Sequence, residues 1–129
     1  MSQLAYEYRD FVASRMKPME TLQADLLHMT LGVAGESGEL VDAIKKHWAY
    51  GKLLDVGNVV EELGDLLFYI QGVLNIVTSQ GVLAPKTLED LMVANMNKLS
   101  RRYPTGYSDA AAIARADKGE PTSPDCEGE

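Results

Sequence analysis

Acidic residues recur at helical spacing in this sequence, and one of them falls where a charge is hard to tolerate. Residues 58–79 predict a helix, and at about 100° per residue its apolar side chains share one face. Glu62 falls within that face and Asp65 borders it, whereas Glu61 points away. An isolated buried carboxylate takes up a proton or requires a cation. A bound cation and a structural salt bridge both remain open. The predicted core face consists of Leu63, Leu66, Leu67, Ile70, Val73, Leu74 and Val77.

A later helix carries the opposite anomaly. Asn95 and Arg102 lie on its apolar stripe and Lys98 lies beside it, whereas Arg101 faces elsewhere. Arg and Lys donors match phosphate oxygens, so this face predicts a phosphate site. The structural alternative is that the cations pair with the acidic residues of the preceding helix. The stripe, which we expect to be buried, consists of Leu88, Leu91, Met92 and Leu99.

A second acidic pair precedes these helices. Glu36 and Glu39 are three residues apart and therefore adjacent on one helix face, which Gly32 and Gly35 border. A solvated acidic surface would explain this pair alone, but the small neighbours leave room for a ligand or another backbone. Oxygen ligands favour a hard cation, Mg²⁺ or Mn²⁺. The sequence contains no Cys/His zinc set and no repeated Glu-x-x-His pair.

Composition limits the class of protein. The 129 residues predict a single globular unit, and 46% of them are hydrophobic. A net charge of −7 argues against binding of a nucleic acid polymer, which requires a basic surface. One cysteine allows no internal disulfide, and no apolar run is long enough to span a membrane. We therefore expect a cytoplasmic protein without a membrane partner.

The elements that must position these residues are helices, and we expect an all-α fold with a four-helix-type core and no strand pair. Asn58 with Glu61 resembles a capping box that would begin the third helix. The fourth helix begins at Pro85, or at Thr87 with Asp90. The predicted helices cover residues 4–16, about 22–48, 58–79, and from 85 or 87 to before 104.

The composition changes after residue 107. We expect a helical domain over 1–107 and an extension over 108–129 that is partly disordered. Within the extension, residues 109–116 predict one or two helical turns, and 118–129 predict a disordered tail. The second helix carries an apolar stripe, Leu27, Leu31, Ala34 and Val41. This glycine-rich helix cannot bury its far face within one small subunit, which predicts an oligomer.

Together these segments resemble a known family. Residues 35–40, Gly-Glu-Ser-Gly-Glu-Leu, and 61–67, Glu-Glu-Leu-Gly-Asp-Leu-Leu, resemble the MazG-type all-α nucleoside triphosphate pyrophosphohydrolases. The hallmark of that family is E-x-x-E, a spacer of 22 residues here, and then E-x-x-D. Residues 95–104 resemble its N-x-x-K-L-x-x-R-Y segment, and the whole likeness covers about 22–107. The helical wheels had already favoured Glu62 over Glu61 and Arg102 over Arg101.

The resemblance implies a set of roles. Glu36, Glu39, Glu62 and Asp65 would bind Mg²⁺, with Mn²⁺ as a substitute, and would form the catalytic set. Lys98, Arg102 and Asn95 would contact the phosphates of the substrate, and the chains would form a homodimer or homotetramer.

The expected reaction is Mg²⁺-dependent hydrolysis of nucleoside or deoxynucleoside triphosphates to the monophosphate and pyrophosphate. Water would attack the α-phosphorus, with Glu39 as the candidate proton acceptor. Tyr69 shares the side of Glu62 and is a candidate for contact with the base, with a packed aromatic as the alternative. The alternative function is a non-catalytic helical oligomer that binds a nucleotide or a protein and contains a buried ionic network.

Overall fold

The chain folds entirely as helices and turns in a computed structural model that describes residues 2–81, 84 and 86–119. Within these residues there are five α-helices, one 3₁₀-helix and no β-strand, as the all-α prediction requires. The helices are α1 (Gln3–Arg15), α2 (Leu22–Tyr50), α3 (Val56–Thr78), α4 (Leu88–Arg102) and α5 (Asp109–Ala114), followed by the 3₁₀-helix Ala116–Lys118.

Short polar side chains determine where the helices begin. Ser2 and Thr21 each accept a hydrogen bond from the backbone N–H three residues on, and so cap α1 and α2. At α3 the cap is Asp55, whose Oδ1 accepts from the Asn58 N–H at 3.0 Å. The predicted capping box of Asn58 and Glu61 is therefore wrong. A carboxylate three residues earlier satisfies the free N–H and also complements the positive end of the helix dipole.

The fourth helix begins at Leu88, directly after Thr87, which agrees with the second of the two predicted starts. The other predicted start, Pro85, lies outside the described residues. No helix in the described part of the chain is long and apolar enough to cross a membrane.

The chain divides into two compact units, residues 1–89 and 90–129. In the first unit, α2 packs along α3 and α1 packs against α3. Its buried apolar side chains are Val12, Met29, Ala43, Leu74 and Ile76.

The seam between α2 and α3 is close, and two glycines allow it. A Cβ on Gly32 would lie 2.1 Å from the ring of Tyr69, and a Cβ on Gly72 would lie 2.1 Å from the methyl carbon of Met29. Met29 precedes Gly32 by three residues on α2, whereas Gly72 follows Tyr69 by three residues on α3, so the two helices run antiparallel. The room beside the second helix that the sequence predicted is thus occupied at Gly32 by an aromatic ring.

A buried glutamine organises the side of α3 that faces α1. The Gln71 amide donates to Asn75 Oδ1 at 2.9 Å and to the Lys86 carbonyl at 3.2 Å, and its oxygen accepts from the Leu88 N–H at 2.9 Å. Asn75 in turn donates to the carbonyl oxygen of Arg9 in α1 at 3.1 Å. These bonds satisfy the buried amide and tie α1, α3 and the start of α4 together.

The predicted core face of α3 is only partly correct. Leu74 is buried, but Leu63 and Leu67 remain 46% and 43% exposed, and the buried side of the helix includes polar Gln71 and Thr78. The error arises because a wheel assigns glutamine and threonine to solvent, whereas their polar atoms here have partners inside the fold. Much of the apolar face of α3 is therefore not covered by the described residues of the first unit.

The second unit contains most of α4, together with α5 and the 3₁₀-helix. No residue of α4 is buried, so the expectation that its apolar stripe lies in a core is wrong for Leu91, Met92 and Leu99. Periodicity identifies an apolar face but does not show that another element covers it. The predicted turns within 109–116 are confirmed by α5, which Ser108 caps.

The predicted disordered tail begins differently from expectation. Lys118, its first residue, ends the 3₁₀-helix, while residues 120–129 lie outside the described part of the chain. The predicted domain boundary after residue 107 stays a prediction.

Candidate metal centre

Three carboxyl groups from two helices converge beside the α2–α3 seam. Glu36 of α2 and Glu62 and Asp65 of α3 each offer one oxygen, and these oxygens lie within 4.8 Å of one another. Glu36 and Glu62 are half-buried, whereas Asp65 is exposed. Three of the four predicted acidic residues are therefore brought together.

The helix register explains this convergence. Glu36 lies four residues after Gly32 on α2, and Asp65 lies four residues before Tyr69 on α3. Because residues four apart share a helix face, the antiparallel seam that pairs Gly32 with Tyr69 pairs Glu36 with Asp65 one turn further along. Glu62 lies three residues before Asp65 and completes the cluster.

The cluster is electrostatically strained without a cation. Burial is the main cause that raises the pKa of Glu62, followed by a hydrogen bond with Glu36 and the negative charges of Glu36, Glu39 and Asp65. The charge of Asp65 also contributes, after burial, to a raised pKa of Tyr8.

No nearby side chain neutralises these acids. In the described part of the first unit, no Lys, Arg or His forms an ion pair with Glu36, Glu62 or Asp65. A structural salt bridge within this unit therefore does not account for them.

The donor set fits a hard divalent cation. Oxygen ligands of Mg²⁺ lie at about 2.0–2.1 Å, so oxygens on opposite sides of one ion are about 4.1 Å apart. The carboxyl oxygens lie within 4.8 Å of one another, a spacing close to that value. A divalent cation would also offset the negative charges that help to raise the pKa of Glu62. The cluster suits a divalent metal, and carboxylates alone do not distinguish Mg²⁺ from Mn²⁺.

Glu39, the fourth predicted ligand, is exposed on α2 and is not among the three oxygens that lie close together. Its charge nevertheless contributes to the raised pKa of Glu62. The acidic row of α2 ends in a surface pair, in which Lys46 Nζ lies 2.8 Å from the carboxylate of Asp42.

Tyr69 is half-buried, and its ring packs over Gly32 and meets Phe68 edge-on at 5.3 Å between centroids. The sequence left two roles open for Tyr69, contact with the base or packing as an aromatic, and this arrangement corresponds to packing. Tyr69 nevertheless lies four residues, about one turn of helix, after Asp65.

The predicted phosphate ligands lie on α4 in the second unit. Asn95 is exposed, Lys98 is half-buried, and Arg102 is bound through its guanidinium to Asp117 of the 3₁₀-helix. Sequence reasoning missed Asp117. Its only signal was an acidic residue in a polar extension, and its partner depends on the turn that follows α5.

Comparison with known proteins agrees with the motif reading. A family model described as the MazG nucleotide pyrophosphohydrolase domain matches residues 24–107, which include every acidic residue of the cluster and the predicted phosphate ligands on α4. No curated protein and no solved structure matches the chain.

Proposed function

This chain belongs to the MazG nucleotide pyrophosphohydrolase family, and from that premise we propose that it hydrolyses nucleoside or deoxynucleoside triphosphates to the monophosphate and pyrophosphate. The observation that carries the proposal is the cluster of Glu36, Glu62 and Asp65, which has no cationic partner in its own unit and matches the ligand preference of a hard cation.

In this proposal the cluster holds Mg²⁺, with Mn²⁺ as a substitute, and Glu39 completes the set of acidic ligands. A divalent cation there supplies Lewis acidity toward phosphate oxygens and lowers the pKa of water. The pKa of Glu62 is raised, and a protonated carboxyl group is a poor metal ligand, so binding of the cation should strengthen as the pH rises.

The reaction is a displacement at the α-phosphorus. A water oxygen forms the new bond to that phosphorus, the bond to the bridging oxygen breaks, and pyrophosphate leaves. We assign the proton of the water to Glu39, because it is exposed, lies one turn from Glu36, and is the acidic residue outside the close cluster.

The phosphate contacts fall to α4. Lys98 and Arg102 would offset the charge that builds on the departing pyrophosphate, and Asn95 would donate from its amide. Tyr69 would contact the base through the exposed part of its ring. These roles rest on the residue types and on the family's N-x-x-K-L-x-x-R-Y segment.

We also propose that the protein acts as a homodimer or homotetramer. Leu27, Leu31 and Val41 on α2 are 59%, 60% and 63% exposed, which is unusual for three large apolar residues on a single helix. Burial of this stripe against another copy would remove it from water. A stable monomer in sedimentation at micromolar concentration would contradict the assembly.

Isotope labelling tests the reaction. The protein is incubated with a panel of nucleotides and titrated Mg²⁺ in ¹⁸O-labelled water, and the products are analysed by mass spectrometry. We expect the label in the monophosphate and unlabelled pyrophosphate. Label in pyrophosphate or orthophosphate would contradict attack at the α-phosphorus. Metal-dependent stabilisation without turnover on any nucleotide would favour the non-catalytic alternative.

A further inference from the structure

The C-terminal extension contributes an ion pair to the arginine that the proposed function assigns to phosphate binding. Arg102 Nε lies 2.6 Å from Asp117 Oδ1, and Arg102 Nη2 lies 2.9 Å from Asp117 Oδ2. The side chain of Asp117 is 0% exposed and that of Arg102 is 17% exposed. Two parallel charge-assisted bonds hold the guanidinium in one plane.

Asp117 bonds to one edge of the Arg102 guanidinium, and the opposite, outer edge does not bond to Asp117. Arginine has five N–H donors in a fixed planar arrangement. Asp117 accepts one from Nε and one from Nη2, so three N–H groups, two on Nη1 and the second on Nη2, do not bond to Asp117. A hydrogen bond with the Tyr103 side chain also contributes to the raised pKa of Arg102, which leaves two of these three groups for a phosphate. Such an edge binds phosphate oxygens in the same bidentate way.

We propose that Asp117 is a positioning residue that fixes Arg102 with this outer edge available to a phosphate group of the substrate. The inference rests on the proposed role of Arg102 as a phosphate ligand. It assigns a function to the extension beyond residue 107, where the family model ends.

An alternative is that Asp117 blocks Arg102 and must move away before a phosphate binds. Burial argues against this alternative, because a fully buried carboxylate that lost its partner would remain as an unpaired charge. The hydrogen bonds and charge of Arg102 lower the pKa of Asp117 to about 2, and the same pairing raises the pKa of Arg102. The pair therefore stays ionised throughout the working pH range.

The backbone around Asp117 also keeps it in place. Arg115 adopts the left-handed conformation, with a φ of 50°, and ends α5. The Lys118 N–H then bonds to the Arg115 carbonyl at 2.9 Å, closing the 3₁₀-turn that holds Asp117. The ring of Tyr103 lies 5.9 Å from the guanidinium carbon of Arg102 and limits its movement on one face.

The test compares D117N with D109N. Both remove one negative charge from the extension, but Asp109 is exposed and accepts a hydrogen bond from the Tyr107 hydroxyl instead of pairing with Arg102. Removal of a residue that orients a ligand typically costs about 10- to 100-fold. We expect D117N to raise the KM for the nucleotide and the inhibition constant of pyrophosphate by about 10-fold. D109N and the Mg²⁺ concentration for half-activation should change little.

R102A and the double variant separate this inference from the proposed function. If Asp117 acts through Arg102, R102A with D117N should be no worse than R102A alone. Unchanged kinetics in R102A would remove the phosphate role and the inference with it. Impaired R102A together with D117N that behaves like D109N would overturn the inference alone.

A measurement on the unmodified chain covers the case in which D117N does not fold. The Arg102 Nε–H signal, assigned by its loss in R102K, should be protected from solvent exchange in ¹⁵N NMR. It should persist when pyrophosphate and Mg²⁺ are added. Loss of that protection on pyrophosphate binding would show that the phosphate displaces Asp117, and would overturn positioning in favour of blocking.

Discussion

Replacement of Glu62 by glutamine should remove most of the pyrophosphohydrolase activity, and the same change at Glu61 should not. The two residues are adjacent and chemically identical, so net charge and helix propensity change equally in both variants. Only Glu62 contributes an oxygen to the close cluster and is half-buried, whereas Glu61 is exposed. Glu61 has no capping role, because Asp55 caps α3.

The size of the effect follows from the geometry. Glu62 supplies one of three carboxyl oxygens within 4.8 Å, so glutamine removes a third of the negative charge in that group while keeping one neutral oxygen. Loss of partners outside the ligand shell of a metal costs about 10- to 100-fold, and loss of a ligand should reach at least the upper value, about 10²-fold. E61Q should stay within several-fold of the parent.

Stability should change in the opposite sense without metal. Burial and neighbouring negative charges raise the pKa of Glu62, so the ionised form is disfavoured in the fold. Neutral glutamine removes this repulsion, and the metal-free melting temperature of E62Q should equal or exceed that of the parent. Added Mg²⁺ should stabilise E62Q less than the parent or E61Q.

The assay is pyrophosphate release from a nucleotide panel, with Mg²⁺ titrated for each variant and melting curves recorded with and without metal. Equal activity in E62Q and E61Q, or greater damage from E61Q, would refute both the helical-wheel argument and the assignment of Glu62 as a metal ligand. A metal-free melting temperature of E62Q well below the parent would refute the repulsion argument.

Four further variants test the scaffold and the extension. Gly32→Ala would place a Cβ 2.1 Å from the Tyr69 ring and should lower both the melting temperature and the Mg²⁺ affinity. Its control, Gly35→Ala, meets nothing within 4 Å and should leave stability equal or higher by up to about 1 kcal/mol. Gln71→Leu leaves buried backbone groups unpaired and should destabilise the fold by about 1–3 kcal/mol in denaturant unfolding; an unchanged midpoint would contradict its buried hydrogen bonds. Asp117 has its pKa lowered to about 2, so the stability that its ion pair adds is present above about pH 4 and is lost as the pH falls toward 2; acid unfolding of D117N should lack this component.

The metal cluster was more predictable than the core around it. Glu62 and Asp65 lie on one helix, and a wheel ranks directions on one helix correctly from its own sequence. The partner from α2 depends on the antiparallel register, which Gly32 and Gly72 set by allowing close contact with Tyr69 and Met29. A helical wheel treats one helix at a time and does not show how two helices align. Glu36 was therefore assigned to the site through the family motif.

The same reasoning explains what sequence analysis missed. Gln71 is a core residue because its amide bonds to Asn75 one turn along α3 and to the backbone of Lys86 and Leu88, and the two backbone partners are not visible in a local pattern. Asp117 reaches Arg102 only because Arg115 turns the chain after α5. Polar residues enter a fold through specific partners, and such partners are a tertiary property.

The apolar pattern, in contrast, predicts burial for side chains that the structure leaves exposed. The face of α3 was predicted to be core, yet Leu63 is 46% exposed, and Leu31 on the apolar stripe of α2 is 60% exposed. Both helices carry a regular apolar face, and exposure of such faces to water is unfavourable in a monomer. In the proposed homo-oligomer, another copy of the chain would cover these faces with the same two helices. Because the carboxyl cluster lies at the α2–α3 seam, that proposal predicts that assembly and metal binding are coupled through the register of the seam.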